Sequence, residues 1–217
     1  MNISSEYVKS FRGLQNKLRR EFPKPKDREY ETLPENATEM LILGILSTNE
    51  TFYHARQAIK VLQEKMVDFN ELRVTPTVEL SEMFDEFLCD PQKASVDLVK
   101  TLNIIFSRFD TLDLSELKEK NKSDILKLFE DLPGCPDHAR CAMLLFSFDI
   151  PNFPMDDKML EYLISVKALP AQVDLATARG FVERKLKAAE LSVFYWQLRK
   201  ASESDDKKRK PRGKSKE

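Results

Sequence analysis

An all-α fold follows from three features of the 217-residue sequence. Apolar residues recur at helical steps of three and four in four long stretches. No stretch shows the sustained apolar–polar alternation of a half-buried strand, and prolines interrupt the periodic segments where helices would end. The apolar stripes are Phe52, Ala55, Ile59, Leu62 and Met66; Ala94, Leu98, Leu102 and Ile105; Leu175, Ala178, Val182, Leu186 and Ala189; and Leu191, Phe194, Tyr195 and Leu198. Breaks at Pro23, Pro25, Pro34, Pro76, Pro91, Pro133, Pro136, Pro151, Pro154 and Pro170 divide the chain into about nine or ten helices of modest length.

The chain is 41% hydrophobic and 33% charged, which describes a soluble domain with a charge-rich surface. Its 35 basic and 36 acidic residues exclude a globally basic nucleic-acid binder. The longest apolar runs, such as residues 40–43, fall far short of the roughly 20 residues of a membrane span. Glu6, Lys9 and Arg12 leave the N-terminus without the apolar core of a secretory signal. The expectation is an intracellular protein, nuclear in a eukaryotic cell and cytoplasmic or nucleoid-associated otherwise. Three cysteines, Cys89, Cys135 and Cys141, can neither complete a disulfide framework nor supply four thiolates to an iron–sulfur cluster. Cys135, His138 and Cys141 stand at steps of three, yet Cys135 lies in a turn and no second ligand pair is near, so no metal is expected. Only 5 glycines, and no glycine-rich phosphate loop, argue against a nucleotide-binding sheet.

Charge is unevenly placed. Residues 17–28 are basic and contain prolines, and read as a link between an N-terminal helix and the body. From residue 202 the chain turns polar, with Lys207, Lys208, Arg209, Lys210, Arg212, Lys214 and Lys216 and almost nothing apolar to pack, which predicts a disordered tail. Without residues 205–217 the body holds 28 basic and 33 acidic residues and is net acidic. Such a tail reads as a solvated end, a nuclear-targeting signal or a nonspecific DNA tether whose affinity falls with salt.

Residues 123–148 carry the functional argument. Ser123 suits an N-cap. Ile125, Leu128, Phe129 and Leu132 share a face of one short helix, Leu132-Pro133-Gly134 makes a tight turn, and Ala139, Ala142, Met143 and Phe146 share a face of a second. Two short helices joined by Leu-Pro-Gly resemble the helix-hairpin-helix of the endonuclease III superfamily of DNA glycosylases. Ile150-Pro151-Asn152-Phe153-Pro154-Met155-Asp156 resembles that family's stretch leading to its active-site aspartate, without a gap. Upstream, residues 40–49 resemble its apolar helix ending in Leu-Ser-x-Gln, Gln92-Lys93-Ala94 its lysine–alanine segment, and residues 191–199 its closing helix, so the likeness covers about residues 28–200.

The resemblance implies two helical lobes with a cleft between them. One would be residues 36–145 with the hairpin, the other residues 1–35 plus 146–203, followed by the tail from 204. It implies a monomer acting on double-stranded DNA that carries a damaged or abasic nucleotide, with no cofactor, no membrane association and no iron–sulfur cluster. The hairpin's backbone N–H groups would hold a phosphate without reading sequence. That places Leu132, Gly134, Cys135, Asp137 and Arg140 at DNA, with Lys127 as a further cation, and Asn49 in the place of the glutamine that fills the gap left by a flipped base.

Asp156 would be the carboxylate that stabilises oxocarbenium character or prepares the nucleophile; it also suits the N-cap of a following helix. His138 stands where bifunctional members carry the Schiff-base lysine. An imidazole forms no stable iminium, so lyase chemistry by that route is not expected. His138 reads either as a group orienting a water or as a partly exposed helix residue with no role. Lys158 is a nearby amine that nothing assigns to a site, and Phe153 and Tyr162 suit either a pocket wall or plain core. The hairpin departs from Leu-Pro-Gly-Val-Gly: Pro136 removes an N–H donor, and Asp137 adds a negative charge where an anion should dock. These departures keep open a second reading, a binding module without catalysis, and a third, an acidic helical interaction protein with a chance Leu-Pro-Gly turn.

Overall fold

In the computed structural model, residues 3–23 and 33–209 are described. They form eleven α-helices and one 3-10 turn, with no strand among the described residues. The chain divides into two compact units, residues 33–154 and residues 1–32 with 155–217.

The first unit contains α2 (Ala37–Leu46), α3 (Phe52–Lys65), α4 (Phe69–Val74), α5 (Thr77–Phe84), α6 (Pro91–Phe109), a 3-10 turn (Ser115–Glu119), α7 (Lys122–Glu130) and α8 (Asp137–Ser147). Every residue of α2 except Glu39 is buried, as expected of a helix apolar on all sides that runs through the middle of a core. Short polar side chains start most of these helices by accepting orphan N–H groups: Asn36 from Thr38 at 2.8 Å, Thr51 from His54, Asp68 from Glu71, and Asp90 from Lys93. Pro91 occupies the first turn of α6, where its missing N–H costs nothing. The core gathers Leu41, Leu43, Leu46, Leu80, Phe84, Leu98, Leu102, Phe129 and Met143.

The second unit contains α1 (Ser5–Glu21), α9 (Asp157–Ser165), α10 (Leu175–Lys185) and α11 (Ala188–Arg209). Its core centres on Phe11, whose ring meets those of Phe181 and Phe194 edge-on at 5.2 and 5.4 Å. Leu18, Leu163, Val182 and Leu198 complete it. No helix among the described residues is long and apolar enough to cross a membrane.

Several boundaries differ from the sequence expectation. Residues 17–21 are not linker: they complete α1, with Leu18 fully buried and an Arg19–Glu190 ion pair at 2.7 Å. Residues 24–32 lie outside the described part. Asn121 rather than Ser123 caps α7, accepting from Asp124 N–H at 3.0 Å while the Ser123 hydroxyl donates to Asn121. The third stripe breaks at Leu186, where α10 ends. The division between units falls after Pro154 rather than at 145, because Phe148 and Ile150 pack in the core of the first unit. Helix α11 runs through Arg209, past the expected start of the tail. Residues 201–209 hold no glycine or proline, and Glu203 binds Arg199 one turn back at 3.0 Å. Residues 210–217 are outside the described part.

The tightest helix contact is α2 on α8. A Cβ on Gly44 would lie 2.7 Å from Ala139 Cα, against backbone that cannot give way. Gly44→Ala should therefore lose about 1–3 kcal/mol, read from urea-denaturation midpoints. Gly13, on the exposed side of α1 with nothing within 4 Å of its Cβ position, supplies the opposite expectation. Gly13→Ala should gain up to about 1 kcal/mol from helix propensity.

Candidate functional site

The hairpin turn is built as its residues dictate. Pro133 supplies the fixed φ of the second turn position, Gly134 takes φ 80° at the third, and Cys135 N–H donates to Leu132 C=O at 3.1 Å, closing a type II turn. Leu132 is buried and anchors the turn, while Gly134 is exposed. The Cys135 N–H is thus spent within the turn and Pro136 has none, so two of the hairpin's backbone positions offer no donor to an anion. The Cys135 thiol is pushed up to about 12 by burial, against weaker opposing effects from Thr101 and Arg140, and stays protonated.

The charge of Asp137 is met locally. Its Oδ1 accepts from Arg140 Nη2 at 2.8 Å and Nε at 3.2 Å. Arg140 therefore compensates Asp137 on the same helix face rather than standing as an independent cation. Lys127 is exposed. Sequence reasoning missed Lys100, an exposed residue of α6 whose methylene stem lies 3.2 Å from where a Gly134 Cβ would be. It reaches the turn only through folding, and no local signal marks it.

His138 is buried, at 2% exposure, and not the partly exposed residue expected. Its Nδ1 lies 3.1 Å from Gly44 C=O and 3.2 Å from Thr48 Oγ1. A carbonyl only accepts, so the ring proton sits on Nδ1 and donates toward it. The same carbonyl accepts from the hydroxyls of Thr48 at 2.9 Å and Ser47 at 3.3 Å. His138 thereby ties the first turn of α8 to the end of α2.

Just beyond that end, Asn49 adopts φ 56°, in the left-handed region that asparagine tolerates better than most residues. Glu50, 5% exposed, was not singled out from sequence. Its carboxylate accepts from Thr51 N–H at 2.7 Å, His54 Nδ1–H at 2.9 Å and Cys89 N–H at 2.8 Å. Between the Asn49 turn and the loop before α6 lies a pocket of about 200 Å3, floored by Leu46, Leu88 and Ala94 and edged by Thr48, Asn49 and Lys93.

In the second unit, Asp156 is 4% exposed and caps α9, Oδ1 accepting from Met159 N–H at 2.9 Å. Its charge acts on Arg199 and Tyr195 of α11, neither of which the sequence singled out. Arg199 is buried, at 2% exposure. It donates from Nη1 to Tyr195 Oη at 2.9 Å and from Nε to Glu203 Oε1 at 3.0 Å. Burial would lower its pKa, but Tyr195, Glu203 and Asp156 outweigh it and raise the value, so the guanidinium remains charged. Burial, together with the charges of Glu21 and Asp205, raises the pKa of Tyr162, while Phe153 is fully buried in the first unit; both are packed residues. Lys158 is half-buried in the first turn of α9. No group of three or more His, Cys, Asp or Glu side chains among the described residues is arranged to hold a metal.

Two outcomes follow from these buried charges. Burial raises the pKa of Glu50, but its hydrogen bonds from Cys89, Thr51 and His54 prevail and hold it below the ordinary 4.5. Its stabilising contribution is complete above that value and is lost as pH falls through the lower folded value. Glu50→Gln should make the acid limb of the stability curve shallower as pH falls below about 4.5, measured by denaturation at stepped pH. Arg199→Leu leaves Asp156 and Glu203 without their shared cation in a buried setting and should cost about 3–5 kcal/mol by chemical denaturation.

No sequence-family model matches the chain, and no curated protein sequence matches it. Solved structures do. A non-covalent endonuclease III–DNA complex matches at TM-score 0.67 and 15% identity, over 88% of this chain and 83% of that one. A thermostable thymine-DNA glycosylase matches at TM-score 0.61 and 16% identity, over 90% and 87%. The Helicobacter pylori 3-methyladenine DNA glycosylase matches at TM-score 0.51 and 15% identity, over 93% and 97%. With eleven helices and no strand among its described residues, the chain has the fold of the helix-hairpin-helix DNA glycosylases.

Proposed function

We propose that this protein acts in base-excision repair as a monofunctional DNA glycosylase, with Asp156 as its carboxylate. The observation that carries the reading is Asp156 itself: a buried carboxylate at the first residue before α9, in a glycosylase fold, held by a helix N-terminus and within the field of Arg199. Breaking an N-glycosidic bond develops positive charge on the sugar. A fixed carboxylate stabilises that charge without reorganising at the moment of reaction. Extruding the base costs a few kcal/mol, which Asn49 would offset by filling the vacated space. The turn around Gly134 would seat a phosphate with Lys100 and Lys127 as the cations beside it, since Arg140 is engaged with Asp137.

The absence of lyase chemistry is part of the proposal. His138 supplies no primary amine, and its Nδ1 proton points at Gly44 C=O. Water is then the nucleophile. The second reading, a binding module without catalysis, draws on the same hairpin: Cys135 and Pro136 leave it short of donors, and the body is acidic.

Asp156→Asn separates the roles of the aspartate, because asparagine caps helices as well as aspartate does but carries no charge. The expected result is a loss of base release by about 10²–10⁴-fold on a lesion-containing duplex. Circular dichroism and duplex binding should be retained. Base release at the wild-type rate in the variant would remove Asp156 from the chemistry. No release by the wild type from any lesion of a broad panel would favour the module.

A further inference from the structure

Glu50 is the only carboxylate below one-tenth exposure among the described residues of the first unit, and neither the chemistry nor the hairpin uses it. It accepts hydrogen bonds from three places. Thr51 N–H belongs to its own turn, His54 to the first turn of α3, and Cys89 N–H to a loop 39 residues along the chain. That loop leaves α5 through turns in which Phe87 and Leu88 N–H donate to Phe84 C=O, and ends at Asp90, the cap of α6. Asn49, the residue before Glu50, sits at φ 56° in the left-handed region.

We propose that Glu50 is a positioning residue that locks the Asn49 turn to the Cys89 loop, so that the two present one rigid edge to a distorted DNA duplex. The proposal rests on the DNA-facing reading of Asn49 given above. An edge that takes the place of stacked bases has to be ordered beforehand, because ordering it on contact would be subtracted from affinity. A carboxylate at such an edge would repel phosphates if displayed. Here the Glu50 carboxylate is buried and met by donors from Thr51, His54 and Cys89, so the bracing adds little charge to an edge that already carries Asp90 and Asp97. The pocket of about 200 Å3 between the two loops, apolar at its floor and polar at its rim, is the feature the lock keeps in shape.

The test uses the full chain with Glu50→Asp and Glu50→Gln. Aspartate is one methylene shorter and can still reach Thr51 N–H but not Cys89 N–H. Glutamine keeps the length and turns one end into a donor facing donors. Two quantities are read: amide hydrogen exchange at residues 48–51 and 88–90, and the affinity for a duplex with an abasic-site analogue relative to the intact duplex. The expected result is at least tenfold faster exchange in both loops together, with residues 132–136 unchanged. The preference for the abasic duplex should fall at least fivefold, at unchanged affinity for the intact duplex. Unchanged exchange at Cys89 in Glu50→Asp would overturn the lock, and this protein-only measurement stands whatever the DNA result. Faster exchange with the wild-type preference retained would overturn its service to DNA. A wild type with no preference would overturn the DNA-facing reading itself.

Discussion

At Gly44 the backbones of α2 and α8 approach so closely that a single methyl group on α2 would strike the Ala139 Cα at 2.7 Å. Much else in the first unit depends on that contact. Side chains on an ordinary helix pair hold the helix axes about 8–10 Å apart, which keeps each backbone away from the other's carbonyls. Here the glycine removes the spacer, and Gly44 C=O receives the His138 Nδ1–H from the facing helix as well as hydroxyls from Ser47 and Thr48 on its own. The register of α8 on α2 is thereby fixed at its first turn. The hairpin turn leads directly into that end of α8, and the Asn49 turn leads directly out of the matching end of α2.

Among the described residues, each unit also carries one enclosed carboxylate, satisfied in a different way. Glu50 accepts hydrogen bonds from Thr51, His54 and Cys89, so it binds loops together. Asp156 is met by a helix N-terminus and by the field of a buried guanidinium, so it sits in an environment balanced charge against charge. Burying a carboxylate without such partners would cost several kcal/mol. The difference matters for chemistry. A carboxylate held by fixed hydrogen bonds from separate turns and loops is a structural part, whereas the proposed function asks the Asp156 carboxylate to meet a new positive charge on a sugar.

The fold class and the Asp156 cap of α9 were legible because they rest on local rules: periodicity, proline positions and the preference of aspartate for helix starts. Even the type II turn at residues 132–135 could be read, since Pro-Gly at its centre admits little else. What escaped were groups whose role exists only across long separations. Cys89 N–H meets Glu50, Lys100 lies at Gly134, and Arg199 acts with Asp156, at separations of 34 to 43 residues. Burial of His138 was missed for a related reason. A lone histidine in the first turn of a helix carries no sign of the glycine that opens space for it on another helix. Residues 17–21 and 204–209 were misplaced because charge density argues for solvent, while the apolar contacts of Leu18 and the Arg199–Glu203 pair decide for helix.

The His138 position brings these strands together. A lysine amine that forms a Schiff base has to be neutral and free to approach a sugar carbon. The side chain at this position instead donates a proton into a helix carbonyl at 3.1 Å, in a space 98% enclosed and shaped by Gly44. A flexible ammonium placed there would have to leave that space or be buried with its charge. An imidazole fits as a donor and stiffens the very helix end that follows the hairpin. Under the proposed function, histidine at this position supplies rigidity and no amine for covalent chemistry, and Asp156 is the group through which a glycosylase reading of this fold has to work.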